Sequence, residues 1–184
     1  MKESSATSNI ITKTGTYRIT LSALFAALAC IGTLIIQIPT PTNGYVNVGD
    51  CFVILAGLCL GPVYGGLAAG IGSMLSDVIS GYMIYAPATF IIKLIMAVLA
   101  YYIFNFLASK LKTGKIAASI VSAFVAEIVM VAGYFAYEAI VVGYGLGAAV
   151  GIPGNLVQGL FALILAPVVY NLIFKDPRIS IYQK

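Results

Sequence analysis

The sequence predicts an all-α integral membrane protein of six transmembrane helices with both termini cytoplasmic, and three observations predict it. Hydrophobic residues make up 61% of the chain, charged residues only 9%, and the mean hydropathy is +1.03, against about 25% charged residues in a soluble domain. The 184 residues accommodate about six apolar stretches of roughly 20 residues, the length that crosses a bilayer, with nothing left for a soluble domain. Lys and Arg gather in one set of connections and are missing from the other, which is the bias that sets topology.

Residues 1–16 are polar and form an expected cytoplasmic tail, 17–174 the membrane domain, and 175–184 a second cytoplasmic tail. The first helix is expected over 17–38. Ala27-Leu28-Ala29 resembles a signal cleavage site, but the apolar run continues to Ile38, too long for a signal core. Pro39-Thr40-Pro41 stops this helix, and 39–49 form the first loop. A second helix is expected over 50–60 and a third over 62–80, separated at Gly61-Pro62; Pro62 suits a first helical turn, where a missing N–H costs nothing.

Residues 49–80 are long for one span and short for two, and charge decides between them. With two spans, the loops at 39–49, 81–86 and 143–150 share one face and carry no Lys or Arg. The opposite face then takes the amino terminus, Lys110, Lys112 and Lys115, and the tail with Lys175, Arg178 and Lys184. The remaining helices are expected over 86–107, 116–142 and 150–174. Gly143, Gly145, Gly147 and Gly151 predict a flexible last loop. Tyr101, Tyr102, Tyr170 and Tyr182 on one side, with Tyr82, Tyr85 and Tyr144 on the other, have the positions of interfacial anchors.

Several function classes drop out. The net charge of +4 sits at helix ends, a topology signal rather than a nucleic-acid footprint. The chain has no histidine, which removes His-based triads and HExxH zinc sites. Cys30, Cys51 and Cys59 lack CxxC spacing and read as buried small hydrophobes. Thr113-Gly114-Lys115-Ile116 lacks the upstream glycine and following Ser/Thr of a phosphate loop, and Gly143-Tyr144-Gly145-Leu146-Gly147 is not GxGxxG. The chain is therefore not expected to bind or hydrolyse ATP by itself. No repeat relates the two halves, so an inverted-repeat carrier finds no support.

Charges within the spans remain, each costing several kcal/mol unless paired or wet, so each is a functional candidate. Counting depth at about 1.5 Å per residue puts Asp50, Asp77, Lys93 and Glu138 in one outer layer with the amides of Asn155 and Gln158, while Glu127 stands apart. Lys93 as a structural ion-pair partner of Asp77 or Glu138, with Asp50 as a helix cap, is the plain alternative. A ligand pocket is favoured because one lysine cannot neutralise three carboxylates. Tyr45, Asn47, Tyr85 and Thr89 add hydrogen bonds and stacking surface. An excess of acceptors disfavours a strongly acidic ligand and suits a ring compound bearing amine, hydroxyl or protonatable nitrogen groups.

Small residues recur at spacing four: Ser22 with Ala26 and Ala23 with Ala27, then Gly61 with Gly65, Gly66 with Gly70 and Ala68 with Gly72. Such stripes let helices approach closely. Internal packing is expected for the glycine-rich helix, whereas spacing leaves the first helix open between an internal contact and a partner.

The first loop IPTPTNGYVNVGD, the LGPVYGG turn and the APATFIIK helix start together resemble the substrate-binding S component of an energy-coupling factor (ECF) vitamin transporter, over nearly the whole chain. The resemblance implies high-affinity binding of a water-soluble vitamin from outside, under a lid made by the first loop. It also implies docking onto a transmembrane coupling subunit, driven by two ATP-binding subunits, through an AxxxA face matched here by Ala23 and Ala27. Hydroxymethylpyrimidine or a pyridoxine-like compound is the first expectation for the vitamin, with riboflavin and pantothenate behind. A stand-alone secondary carrier or channel would need polar residues continuing to the cytoplasmic side, and a membrane enzyme a nucleophile or metal constellation.

Overall fold

The structure, a computed structural model, describes residues 15–110 and 114–173. The expected tails, most of 1–16 and all of 175–184, and Tyr182, lie outside the described residues. Among the described residues five helices are long and apolar enough to cross a membrane: α1 (Gly15–Ile35), α2 (Asp50–Ile79), α3 (Ala86–Asn105), α4 (Lys115–Ile140) and α5 (Ile152–Ile173). A π-helical turn, Phe106–Lys110, extends α3, and a 3-10 turn, Gly145–Gly151, precedes α5.

Residues 50–79 are one helical stretch with a reversal inside it. Gly61 has φ 83° and ψ −179°, a conformation open to glycine and closed to side chains with a Cβ. Pro62 follows and starts the second arm without needing an N–H partner. Along a straight helix Ala56 and Gly65 would lie about 13 Å apart, yet a Cβ on Gly65 would come within 2.3 Å of the Ala56 carbonyl oxygen. The arms are folded back on one another.

The first arm, 50–60, is about 16 Å long, half a bilayer. It does not start at the bundle's end: Gly49 packs on Ala29 and Thr33 of α1, and Asp50 meets Lys93, about 10 Å into α3. Of residues 50–61 only Phe52 is not fully buried, which is why this arm is apolar all round. The expected second span corresponds to this short central arm, so the expected six helical segments appear as five membrane-length helices, one of them bent.

Small residues set the approach of the other helices. A Cβ on Gly72 would meet the Ala26 carbonyl oxygen of α1 at 2.2 Å, one on Gly57 the Ala97 carbonyl oxygen of α3 at 2.2 Å, and one on Gly70 the Phe90 carbonyl oxygen at 2.8 Å. The glycine stripes of α2 thus pack internally, and the Ser22/Ala26 stripe of α1 faces α2.

The three loops without Lys or Arg meet at one end. Gln37 Nε2 donates to Ser80 Oγ at 2.8 Å, Asn43 Nδ2 to Tyr144 Oη at 3.0 Å, and Tyr137 Oη to the Ile84 carbonyl. At the other end Arg18 lies 6.0 Å from the Tyr64 ring centroid, beside the Gly61 turn.

Within the expected first loop the structure shows a short hairpin. Strands β1 (Ile38–Pro39) and β2 (Tyr45–Val46) pair antiparallel, Ile38 opposite Val46. Its tip holds Asn43 at φ 58°, a left-handed residue of the kind asparagine tolerates. Two of the expected interfacial tyrosines are interior instead: Tyr85 and Tyr170 are buried, while Tyr102 and Tyr144 are exposed.

Candidate functional site

Under the hairpin lies a pocket lined by nine of the ten side chains expected from sequence: Tyr45, Asn47, Asp77, Tyr85, Thr89, Lys93, Glu138, Asn155 and Gln158. Asp50 sits just beneath its floor. The polar groups form two tiers rather than one layer.

In the lower tier, Lys93 forms a fully buried ion pair with Asp50, at 2% and 1% exposure. Gln158 Nε2 donates to the other Asp50 oxygen at 2.7 Å, and Gln158 Oε1 accepts the Asn47 backbone N–H at 2.9 Å. Asn47 Oδ1 in turn accepts the Gly49 N–H at 2.8 Å. This chain of bonds ties the hairpin's exit to α3 and α5. The cap position of α2 is Gly49, not Asp50, and Lys93 pairs with Asp50 rather than with Asp77 or Glu138. The Lys93 ammonium also lies 5.3 Å from the Tyr134 ring centroid, within cation–π range.

In the upper tier, Tyr45 Oη donates to Asp77 Oδ1 at 2.5 Å, and Thr89 Oγ1 pairs with Tyr134 Oη at 3.0 Å. Tyr85 Oη lies 2.6 Å from the Thr42 carbonyl and 3.2 Å from Glu138 Oε1. One phenol proton cannot serve both fully, so Glu138 is the weaker-served partner. Burial, then Asp77, pushes the Tyr45 phenol above its ordinary value; burial, then Glu138, does the same to Tyr85. Both therefore stay donors. Asp77 Oδ2, Glu138 Oε2 and Ser73 Oγ are buried without a hydrogen-bond partner among the described residues.

The free interior is about 30 Å3, within a concavity of about 460 Å3 counted to its mouth. The pocket is thus largely filled by its own side chains.

Sequence reading missed Ser73, Thr33, Thr40, Gly44 and Tyr134, which also line the pocket. Ser73 with Asp77, Thr89 with Lys93 and Tyr134 with Glu138 are each four apart on one helix face, a signal that would have found Ser73 and Tyr134. Glu127 does not stand apart: Asp50 and Lys93 are its principal electrostatic neighbours. It is 6% exposed, and its carboxyl group lies within hydrogen-bond reach of that of Asp50.

Ala23 and Ala27 lie elsewhere, exposed on α1. They line an apolar groove between α1 and the second arm of α2, with Leu67, Ala68 and Ile71.

The family model described as "ECF-type riboflavin transporter, S component" matches residues 13–175. The chain belongs to this family. A protein of Pyrococcus woesei, described as an uncharacterized protein in a gap 3'region, is 33% identical over 136 residues, 73% of this chain and 86% of that one. The solved structure of the S component of a bacterial ECF transporter matches with a TM-score of 0.65 at 19% identity, covering 88% of this chain and 98% of that one. At that identity the likeness shows the fold. As an ECF S component the chain is a multi-pass membrane protein and a transporter part that associates with an ECF module. Among the described residues of this S component no group of His, Cys, Asp and Glu has the arrangement of a metal site.

Proposed function

We propose that this S component binds a riboflavin-type vitamin with high affinity in the hairpin-covered pocket and delivers it through an ECF module. The observation that carries this reading is a closed pocket whose buried acceptors, Asp77 Oδ2, Glu138 Oε2 and Ser73 Oγ, lack partners beside the rings of Tyr45, Tyr85 and Tyr134. A neutral ring with a hydroxylated chain supplies both the stacking surface and the missing donors. The family description points the same way. The charge argument for a protonatable ligand is weakened, because Lys93 neutralises Asp50 and the two phenols bond to Asp77 and Glu138.

Hydroxymethylpyrimidine or a pyridoxine-like compound is the second reading, favoured by the small free interior of about 30 Å3. Pantothenate, an anion facing unpartnered carboxylate oxygens, ranks behind. The roles of Asp50, Asp77, Lys93, Glu138, Asn155, Gln158, Tyr45, Asn47, Tyr85 and Thr89 as ligand or floor residues are part of this proposal.

The topology proposed with it has six helical segments, the hairpin end outside and both tails, 1–16 and 175–184, cytoplasmic. Ala23 and Ala27 are the proposed docking face for a transmembrane coupling subunit carrying two ATP-binding subunits. Dependence on such a module is supported by the apolar interior beneath the lower tier. Ile54, Leu55, Met96, Ala97 and Ala100 fill it, and the buried Ser119 and Ser122 bond to carbonyls of their own helix, so among the described residues no polar path leads onward for a stand-alone carrier.

Calorimetric titration of the purified chain with riboflavin, hydroxymethylpyrimidine, pyridoxine and pantothenate tests the reading. Tight one-to-one binding of riboflavin is expected, and tight binding of the pyrimidine alone replaces it with the second reading. Uptake by the purified chain in vesicles without partner subunits contradicts the dependence on a module.

A further inference from the structure

The described residues bury five charged side chains, Asp50, Asp77, Lys93, Glu127 and Glu138. Glu127 alone neither lines the vitamin pocket nor bonds to its floor lysine. It stands mid-way along α4, twelve residues from Lys115 and thirteen from Ile140, about 18–20 Å from either end. Consecutive residues of α5 bring it to Asp50. Gln158 donates to Asp50 Oδ2 at 2.7 Å, and a Cβ on Gly159 would lie 3.2 Å from Glu127 Oε2. The two carboxyl groups come within hydrogen-bond reach of each other.

The donors around this pair are unevenly placed. Asp50 receives Lys93 on Oδ1 and Gln158 on Oδ2, whereas no N–H or O–H of the described residues is directed at either oxygen of Glu127. A carboxylate can only accept, while a protonated carboxyl has one O–H to donate. Glu127 therefore finds a hydrogen-bond partner in one form, as an acid whose O–H donates to Asp50. Charge leads to the same form: two carboxylates this close do not both ionise in an apolar interior, and the single ammonium of Lys93 balances one of them. Of the other groups on the packed elements, Lys93 on α3 and the Tyr134 phenol on α4 face the pair, and α5 offers the uncharged Gln158 and Gly159.

We propose that Asp50 and Glu127 share a single proton, and that Glu127 is a positioning residue held in reserve as a second counter-ion for Lys93. Lys93 lines the vitamin pocket and Glu127 does not, so Glu127 acts on the pocket only through the Asp50–Lys93 pair. While Asp50 is ionised, Glu127 keeps the proton and its O–H steadies the carboxylate. Where the Asp50 charge is removed, the Glu127 proton leaves to water and the new carboxylate holds the ammonium in place. Nothing in this depends on which vitamin the pocket takes.

Infrared spectra of the full chain in detergent at neutral pH, recorded in H2O and D2O, test the proposal without any ligand. The unmodified chain minus Glu127→Gln is expected to show the C=O stretch of a protonated carboxyl, moved down in D2O. Asp50→Asn is expected to lose the same band with Glu127 untouched, because Glu127 has ionised. In Asp50→Asn/Lys93→Met, which has no ammonium to neutralise, the band should return. Thermal midpoints give a second reading: Asp50→Asn and Glu127→Gln each leave Lys93 one counter-ion, whereas the two together strand it, so the double variant should fall by more than the sum of the single falls. Where a variant fails to fold, Glu138→Gln grown with glutamate isotopically labelled at the side-chain carboxyl still assigns the band, since Glu127 is then the only glutamate left among the described residues. The absence of a protonated-carboxyl band from Glu127, its persistence in Asp50→Asn, or additive midpoints would each overturn the proposal.

Discussion

The hairpin-covered pocket and the α1/α2 groove are cut into the same apolar bundle by opposite means. The pocket gathers Asp50, Asp77, Lys93 and Glu138 from three helices, each buried, and holds them with bonds between elements far apart in sequence. The groove is lined mainly by Ala, Leu and Ile, with Ser22, Cys30 and Tyr64 among them, and Ala23 and Ala27 leave its wall low. Buried charge gives a site its chemical selectivity at a cost in desolvation; small side chains allow close approach of a helix with no chemical selectivity. On the proposed reading, ligand recognition and partner recognition rest on residues that do not touch one another, and changes at one should leave the other intact.

The largest expected effect is at Lys93. Lys93→Met leaves Asp50 buried without its counter-ion, which costs about 3–5 kcal/mol, and should lower the thermal unfolding midpoint in detergent sharply and abolish vitamin binding. The double change with Asp50→Asn should restore much of the stability. Equal midpoints for Lys93→Met and the unmodified chain would mean the pair is not formed.

Ala27→Leu, and likewise Ala23→Leu, should eliminate ATP-driven uptake in cells while changing vitamin affinity by less than about twofold, since an exposed substitution is worth within ~0.5 kcal/mol. Parallel loss of binding and uptake would join the two regions that the comparison separates.

Tyr45→Phe is expected to be milder. It removes the 2.5 Å bond from the hairpin to Asp77 and leaves a buried acceptor unserved, about 1–3 kcal/mol. The effect should appear as faster vitamin release in a stopped-flow chase, with a fall in the thermal midpoint smaller than that of Lys93→Met.

The pH response should be the smallest. A phenol ordinarily titrates near 10, and closure of the hairpin holds Tyr45 and Tyr85 above that. Closure is accordingly favoured fully below about pH 10 and loses its advantage as pH rises past it. Affinity should be flat from neutrality to about pH 9 and fall beyond, in step with phenolate absorbance. A fall near neutrality would assign the lid to other groups.

Much of this was legible in the sequence because it is local. Pro39 and Gly61-Pro62 mark where helices stop, and Lys/Arg placement sorts the loops by face. The pocket set was legible too, because ionisable residues in apolar spans have few other reasons to be there. What escaped reading depends on how loops fold. Depth was counted from each helix's start, on the assumption that starts lie at the membrane surface. The hairpin instead carries the start of α2 inward, which lowers Asp50 to the level of Lys93 and brings Glu127 into its company. Two-residue strands have no periodicity to read, so the hairpin itself was invisible. Tyr134 is legible from helix face, one turn from Glu138, and not from depth or charge.

The measurement that bears most directly on the account is equilibrium binding of riboflavin to the purified chain alone, followed by quenching of flavin fluorescence, for the unmodified protein and for the Asp77→Asn/Glu138→Gln double variant. The account predicts saturable one-to-one binding by the former and a loss of affinity of about a hundredfold in the latter, two buried hydrogen bonds' worth. Unchanged binding by the double variant, or no binding of any vitamin by the unmodified chain, would contradict the assignment of the ligand to the hairpin-covered pocket.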